Sequence, residues 1–288
     1  MTLTEDAIVH IEPVMGTVVS FRVFPGACSD ADARAAVQSA CLRLHELDRF
    51  FSIWNADSPM SLFRSGQLGL EEVPPEIPLV IELCRQARAL SKGWFDPWAM
   101  PGGMDPTGLV KGWAVEQALA VLQAAGVEAA MVNGGGDIAL LGCPPEGGAW
   151  RIGIRHPWRA DALACVLEPN AAVATSGCYE RGRHLLNPRS GRRPVSTASA
   201  TITGASLSLV DALATALAVA GDEVLELVRS LDGYEAYLIR ADGSEHATAG
   251  MVFARHGQDH NTSLTPGRPP GEMPSPGTRV RLRSFTVD

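Results

Sequence analysis

The stretch MDPTGLVKGWAVEQALAVLQAAGVEAAMVNGGGD, residues 104–137, is the segment around which the rest of the chain is organised. A turn rich in proline and glycine leads into an amphipathic helix, and an apolar strand and three consecutive glycines follow. Backbone N–H groups in glycine-rich turns and at helix N-termini bind anions. We therefore interpret Lys111, at the start of this helix, as facing a phosphate or a flavin; the alternative is a solvated lysine in a first turn.

The composition of the chain is that of a folded protein with a substantial core. Of the 288 residues, 46% are hydrophobic and 19% are charged. That balance allows extensive burial and is not that of a disordered chain. The formal net charge of −8 offers no broad positive surface, so we expect no general nucleic-acid binding. A local run of arginines between residues 181 and 193 departs from this balance.

The cysteines and the N-terminal residues allow an expectation about the cellular location of the protein. The six cysteines show no CxxC spacing, which argues against both a disulfide framework and a zinc signature. The first residues, MTLTEDAIVHIEP, are acidic and lack the basic and apolar regions of a signal peptide. No window approaches the roughly 18 apolar residues of a membrane span. We therefore expect a cytoplasmic location and no membrane span.

Hydrophobic periodicity predicts a mixture of strands and helices along the chain. Two strands are expected within residues 8–23, broken near Met15 and Gly16. The helices are predicted from Ser29–Asp30 to about Phe50, over 75–92, from a Ser206 cap to Gly221, and over 222–231. Further strands are predicted over 150–155, 162–176 and 195–205, with a hairpin formed by 234–241 and 246–254 around Asp242-Gly243.

This order of elements predicts the α+β class, with layers of mixed or antiparallel sheet and packed helices. Residues 1–255 are expected to form one compact domain. Residues 256–288 are rich in proline and glycine over most of their length, and we expect a tail whose last residues could return as an edge strand.

Asp211 and Thr215 lie four residues apart in the most apolar predicted helix, LSLVDALATALAV. At 3.6 residues per turn they share one face of that helix. A carboxylate is costly to bury without a partner, and two oxygen ligands at this spacing suit a hard cation such as Mg²⁺. The alternative is an aspartate paired with an arginine and a threonine bonded to its own helix.

Several turn residues are also candidates for contact with a ligand. Asp96 in GWFDP and Asp105 in DPTG could accept hydrogen bonds from a heterocycle, or each could only cap its own turn. Trp54 could stack on a planar ring, or it could be a partly buried anchor.

The basic segment contains a Ser/His combination, formed by Ser176 and His184. Because there is no GxSxG motif and no third member, we do not predict a hydrolase triad. His184 is instead interpreted as a structural or phosphate-facing histidine. Arg181, Arg183 and Arg189 either meet phosphates or form an exposed basic loop.

Seven windows in one register resemble the FAD:protein FMN transferase family, also known as ApbE. They cover about 200 residues in the order of the family. The windows are PVMGT (13–17), FFSIWNADSPMSLF (50–63), GWFDP (93–97), DPTGLVKGWAVE (105–116), VNGGGDIALLG (132–142), ATSGCYERGRHLLNPRSGRRP (174–194) and DALATALAVAG (211–221). The resemblance implies an ApbE-like fold related to the T-fold.

The resemblance implies a magnesium-dependent enzyme that transfers FMN from FAD to a threonine hydroxyl of a target flavoprotein and releases AMP. Its partners would be FAD and the acceptor flavoprotein. Two alternatives stay open: an FAD pyrophosphatase whose acceptor is water, and a non-catalytic protein that only binds FAD.

The resemblance also implies roles for individual residues. The implied magnesium ligands are the side chains of Asp211 and Thr215 and the carbonyls of Gly108 and Ala214. On physical grounds, Asp211 would either accept the proton of the attacking hydroxyl or only position the cation, and His184 is a weaker candidate for the base. The implied FAD contacts are Met15, Trp54, Trp94, Phe95, Asp96, Asp105, Lys111 and Leu185. The chain departs from the family at Trp54, where many members have tyrosine, and at Asn187, where an aspartate is common.

Overall fold

The computed structural model describes residues 7–177 and 185–254, and these ranges form ten strands and six α-helices. The strands are β1 (Ile8–Val14), β2 (Thr17–Phe24), β3 (Ala129–Gly134), β4 (Asp137–Leu141), β5 (Ile152–Arg155), β6 (Leu163–Leu167), β7 (Ala172–Gly177), β8 (Thr197–Gly204), β9 (Glu235–Arg240) and β10 (Glu245–Ala247). The helices are α1 (Asp30–Phe51), α2 (Pro59–Arg64), α3 (Glu76–Leu90), α4 (Thr107–Ala124), α5 (Leu207–Ala220) and α6 (Asp222–Val228).

Eight strands form one antiparallel sheet in the order β1-β2-β3-β4-β7-β8-β9-β10, and β5 and β6 form a separate hairpin. Helices α4 and α5 pack on the sheet at β3, β4, β7 and β8, and α1 packs on α4. A second apolar cluster joins Ile152 and Leu167 of the hairpin to Ile138 and Val173 of the large sheet. The predicted α+β class with antiparallel sheet and packed helices is confirmed.

The turn between β1 and β2 falls where the sequence predicts the break. Both of its central residues have positive φ, 55° at Met15 and 65° at Gly16. Two such residues form the tight turn that matches the twist of an antiparallel hairpin. Methionine rarely adopts this conformation. The Met15 N–H donates to Asp48 Oδ2 at 3.2 Å, which fixes the turn against the end of α1.

Helix α4 differs from the prediction in two respects. It begins at Thr107, so Lys111 lies in its second turn rather than at its start. It is also not amphipathic, because the four consecutive residues 112–115 are all buried, and consecutive residues of a helix point to different sides. The reason is its position between strands β3 and β4 and helices α1 and α5, which leaves little of its surface for solvent. The core residues of α4 are Leu109, Val110, Gly112, Trp113, Ala114, Val115, Ala118 and Leu122.

The three consecutive glycines at the end of β3 make a hairpin turn to β4. Gly134 pairs with Asp137, so Gly135 and Gly136 are the two loop residues between β3 and β4. Their φ values of 68° and 102° are accessible to glycine at little cost. The Asn133 side chain accepts a hydrogen bond from the Gly136 N–H at 2.8 Å and closes the turn. The glycines therefore reverse the chain between two strands.

The first turn of α5 is held by α4. Ser206 occupies the predicted N-cap position, but its side chain makes no capping hydrogen bond. Instead, the carboxylate of Glu116 accepts the hydrogen bond of the Leu207 N–H. Burial raises the pKa of Glu116, while hydrogen bonds from Ser206 and the Leu207 N–H oppose that shift. This contact between the helices fixes the start of the segment that carries Asp211.

Gly112 allows α4 and α5 to approach closely. A Cβ at this position would lie 2.8 Å from the Leu207 carbonyl oxygen and 3.1 Å from Asp211 Cβ. Helix propensity alone predicts that Gly112→Ala stabilises the protein by about 1 kcal/mol. We expect the opposite, a loss of about 1–3 kcal/mol, because α5 must move away. Urea unfolding of the two proteins measures this difference, and a more stable variant would contradict the expected helix contact.

Two other sequence predictions are modified by the structure. The segment 162–176 contains two strands, β6 and β7, which belong to different sheets. The predicted hairpin near the C-terminal end is present, but β10 is only 3 residues long. Within the part of the chain that the structure describes, no helix has the length and hydropathy of a membrane span. The tail over 256–288 and the cytoplasmic location stay predictions, the tail lying outside the described residues.

Candidate functional site

A cavity of about 640 Å³ opens beside α4, α5 and β7. This volume lies within the range of about 300–1,000 Å³ that is usual for small-molecule sites. Of the predicted site residues, those that line it are Met15, Trp54, Trp94, Phe95, Asp96, Asp105, Gly108, Lys111, Leu185, Asp211 and Thr215. Ala214 is buried within α5 and is not among the lining residues. His184 lies outside the described residues.

Oxygen donors from three elements converge at one part of the cavity. Asp211, on α5, is only 4% exposed. One turn further along α5, the Thr215 hydroxyl lies 3.5 Å from that of Ser176 on β7. A Cβ added at Gly108 would lie 4.0 Å from Thr215 Oγ1, which places the start of α4 at the same point. A carboxylate with neutral hydroxyl and carbonyl oxygens is the donor set that Mg²⁺ prefers, so these residues fit that ion.

Lys111 lines the cavity and also forms an ion pair with Asp137 at the start of β4. The Asp137 side chain is 1% exposed and that of Lys111 is 17% exposed. A carboxylate this deeply buried requires a cation. Lys111 therefore has a structural partner that the sequence analysis did not identify. The signal was present in NGGGDIALL, where an acidic residue opens an otherwise apolar strand.

Aromatic side chains surround another part of the cavity. Trp54 is 91% exposed, so nothing in the described protein covers most of its ring. The guanidinium carbon of Arg189 lies 3.6 Å from the centroid of the Trp94 ring, a cation–π contact. Phe95 is buried against Gly108, where an added Cβ would lie 3.0 Å from its ring. Trp54 is thus available to a planar ligand, whereas one face of Trp94 is already occupied.

Asp96 and Asp105 both hold local structure while lining the cavity. Asp96 pairs with Arg88 at 2.8 Å and accepts the Trp98 N–H at 3.0 Å. Asp105 accepts the Thr107 N–H at 3.0 Å and so forms a local turn just before α4. Each carboxylate therefore has a local structural role. Each carboxylate still has lone pairs with which to accept hydrogen bonds from a ligand.

The cavity also includes residues that the sequence analysis did not assign to it, notably Asp48 and Thr175. Asp48 lies on α1 and reaches Met15 across 33 residues of sequence. Its position in the charged run HELDRF gives no local indication of this contact. Thr175 lies on β7, where its hydroxyl is 2.9 Å from that of Thr201.

Comparison with known proteins identifies the family. The model of the ApbE family matches residues 15–102 and 99–238. The chain belongs to the ApbE family. The matched residues include the β1–β2 turn, α4 and α5, and they contain all the residues that line the cavity.

Two relatives in the ApbE family are named FAD:protein FMN transferase. The protein from Rhodobacter capsulatus is 36% identical over 160 residues, which are 51% of this chain and 30% of that protein. The protein from Vibrio cholerae is 34% identical over 159 residues, 46% of this chain and 47% of that protein. The match therefore spans less than half of the length of each of these relatives.

Solved structures of ApbE proteins share the fold. The flavin transferase ApbE from Vibrio cholerae has a TM-score of 0.73 at 22% identity, over 84% of this chain and 97% of that one. The ApbE protein from Thermotoga maritima has a TM-score of 0.75 at 21% identity, with the same coverage. At these identities the likeness shows the architecture.

Proposed function

We propose that this chain transfers the FMN moiety of FAD to a threonine hydroxyl of an acceptor flavoprotein and releases AMP. The observation that carries the proposal is one cavity that contains an exposed aromatic ring, a lysine and a set of oxygen donors in a chain of the ApbE family. Trp54 offers a stacking surface to the isoalloxazine ring. Lys111, Asp211 and Thr215 offer charge and ligands for the diphosphate region.

Transfer breaks the diphosphate bond between the FMN phosphorus and the bridging oxygen, and AMP leaves with that oxygen. The threonine oxygen forms the new bond to phosphorus and gives up its proton. Asp211 is 4% exposed and lines the cavity, so it could accept that proton or hold the cation. The N-terminus of α4 adjoins Thr215 at Gly108, and a helix N-terminus favours nearby negative charge.

The residues that would hold Mg²⁺ are Asp211 and Thr215, with Gly108 and Ala214 contributing carbonyls as the family resemblance implies. A carbonyl inside a helix already accepts one hydrogen bond, so Ala214 would use its second lone pair. When bound, Mg²⁺ stabilises the charge that develops on the leaving phosphate. The pairing of Lys111 with Asp137 holds the lysine at the wall of the same cavity.

The decisive experiment incubates the protein with FAD, Mg²⁺ and a candidate acceptor flavoprotein and analyses the products by mass spectrometry. We expect the acceptor to gain the mass of FMN less one water, with one AMP released for each FMN transferred. An acceptor in which the target threonine is replaced by valine is the matched control, since it keeps the shape and lacks the hydroxyl.

The other possible results correspond to the alternative functions. Free FMN and AMP without a modified acceptor would select the pyrophosphatase. Intact FAD that stays bound to the protein after incubation with Mg²⁺ and acceptor would select the non-catalytic binding protein. Either result would overturn the proposed transfer.

A further inference from the structure

A second group of ligating side chains lies outside the cavity, where β1 packs against α1. His10 and Glu12 are two residues apart on β1 and therefore face the same side of the sheet. Cys41 and His45 are four residues apart on α1 and therefore lie on one face of the helix. None of these four residues lines the cavity. Two short patterns, H-x-E and C-x3-H, thus meet in space.

Glu12 is at the centre of this group, which we call the β1–α1 cluster. Its Oε2 lies 3.0 Å from His10 Nε2, and its Oε1 lies 2.8 Å from His45 Nε2. The ligating atoms of His10, Glu12 and Cys41 all lie within 4.8 Å of one another. One imidazole nitrogen, a carboxylate oxygen and a sulfur therefore surround one small volume, and the His45 imidazole contacts the other oxygen of Glu12.

The charges of the cluster suit a cation. Hydrogen bonds from His45 and then from His10 hold the pKa of Glu12 below its ordinary value, so the carboxylate is ionised. Burial, followed by the charge of Glu12, raises the pKa of the Cys41 thiol to about 12. The His10 and His45 side chains are 41% and 47% exposed, which gives an ion access from solvent.

We propose that His10, Glu12 and Cys41 bind one transition-metal ion of the zinc class, with solvent at the fourth position, and that His45 orients Glu12 through its other carboxylate oxygen. Nitrogen, sulfur and carboxylate donors form tetrahedral zinc sites with bonds of about 2.0–2.3 Å. Such bonds place neighbouring donors roughly 3.3–3.8 Å apart. The 3.0 Å between Glu12 Oε2 and His10 Nε2 is close to this separation. Mg²⁺ prefers oxygen donors and does not suit this set.

The site has a structural consequence for the cavity. Three residues after Glu12, the chain reaches Met15, and three residues after His45, α1 reaches Asp48. Met15 and Asp48 are joined by the hydrogen bond at the cavity wall. An ion bound to the cluster would therefore join β1 to α1 beside this contact.

Titration of the full chain with Co²⁺ in excess Mg²⁺ tests the site, because the excess Mg²⁺ competes for the oxygen donors of the cavity. We expect one Co²⁺ to bind per chain, with the visible bands of tetrahedral cobalt and a thiolate-to-cobalt charge-transfer band. Zn²⁺ should displace the Co²⁺. The charge-transfer band should disappear in Cys41→Ser and persist in the matched control Cys165→Ser, whose thiol lies on β6. His45→Gln should weaken binding by at least about tenfold.

Wild-type protein that shows no charge-transfer band, or a band that survives Cys41→Ser, would overturn the proposal. If Cys41→Ser does not fold, His10→Ala and His45→Gln give the answer, because both rings are partly exposed. Unchanged Co²⁺ affinity in these two variants would mean that the cluster is only a set of histidine–glutamate ion pairs. Because no flavin or acceptor is present, these results do not depend on the proposed transferase activity.

Discussion

Replacement of Asp211 by asparagine should lower the rate of FMN transfer by about a thousandfold, or ~4 kcal/mol in the activation free energy. Asparagine keeps the size of the side chain and removes its charge. Asp211 is 4% exposed and lies in the cavity with Thr215. Its carboxylate is the only formal negative charge among the four proposed magnesium ligands, so its loss should weaken the site more than the loss of a neutral donor.

The rate is measured from the appearance of the covalent flavin on the acceptor protein at saturating FAD and Mg²⁺. Circular dichroism and thermal unfolding establish that the variant is folded. Asp232→Asn is the matched control, because it makes the same chemical change at an exposed residue away from the cavity. A transfer rate in Asp211→Asn that equals that of the control would rule out the proposed role of this carboxylate.

The elements that the sequence predicts well are those whose pattern is local. Helix α1 begins after a Ser29 cap whose side chain accepts from the Asp32 N–H, and its apolar stripe packs into the core. The β1–β2 break is set by two residues with positive φ. Helix α5 is so apolar that its buried position follows from composition alone. In each case the information lies within a few residues of the element.

The features that the sequence analysis missed depend on contacts between distant segments. The helix cap on Leu207 comes from Glu116, 91 residues earlier. Arg189 reaches Trp94 and covers one face of its ring. Helix α4 has an irregular pattern because its neighbours enclose it on several sides. Periodicity describes an element with one buried face, and it fails where the fold surrounds the element.

The candidate site likewise contains residues that a local pattern predicts and residues that only contacts between distant segments bring together. Asp211 and Thr215 could be paired from their spacing because both lie on one helix. That Lys111 lines the same cavity required the contact between α4 and α5, which a single sequence does not reveal. Before the fold was known, only the family resemblance indicated that Lys111, Asp211 and Thr215 belong to one site.

Removal of Lys111 should have two separable effects, one on stability and one on activity. Lys111→Met leaves the Asp137 carboxylate, which is 1% exposed, without its lysine partner. We expect the free energy of unfolding to fall by about 3 kcal/mol, the lower end of the range for a broken buried pair because Lys111 is itself 17% exposed. Urea unfolding measures this loss. Arg85→Met, which breaks the exposed pair with Glu82, is the matched control and should change little.

The double variant Lys111→Met/Asp137→Leu separates the two effects, because it removes the buried charge together with its partner. We expect its stability to return to within about 1 kcal/mol of the wild type, since apolar replacements of buried ion pairs are often neutral. We expect FMN transfer to remain at least about a hundredfold below the wild-type rate, because the cation beside the diphosphate is still missing. If the double variant recovered both stability and transfer, Lys111 would serve only to neutralise Asp137, and the charge that stabilises the leaving phosphate would have to come from elsewhere in the cavity.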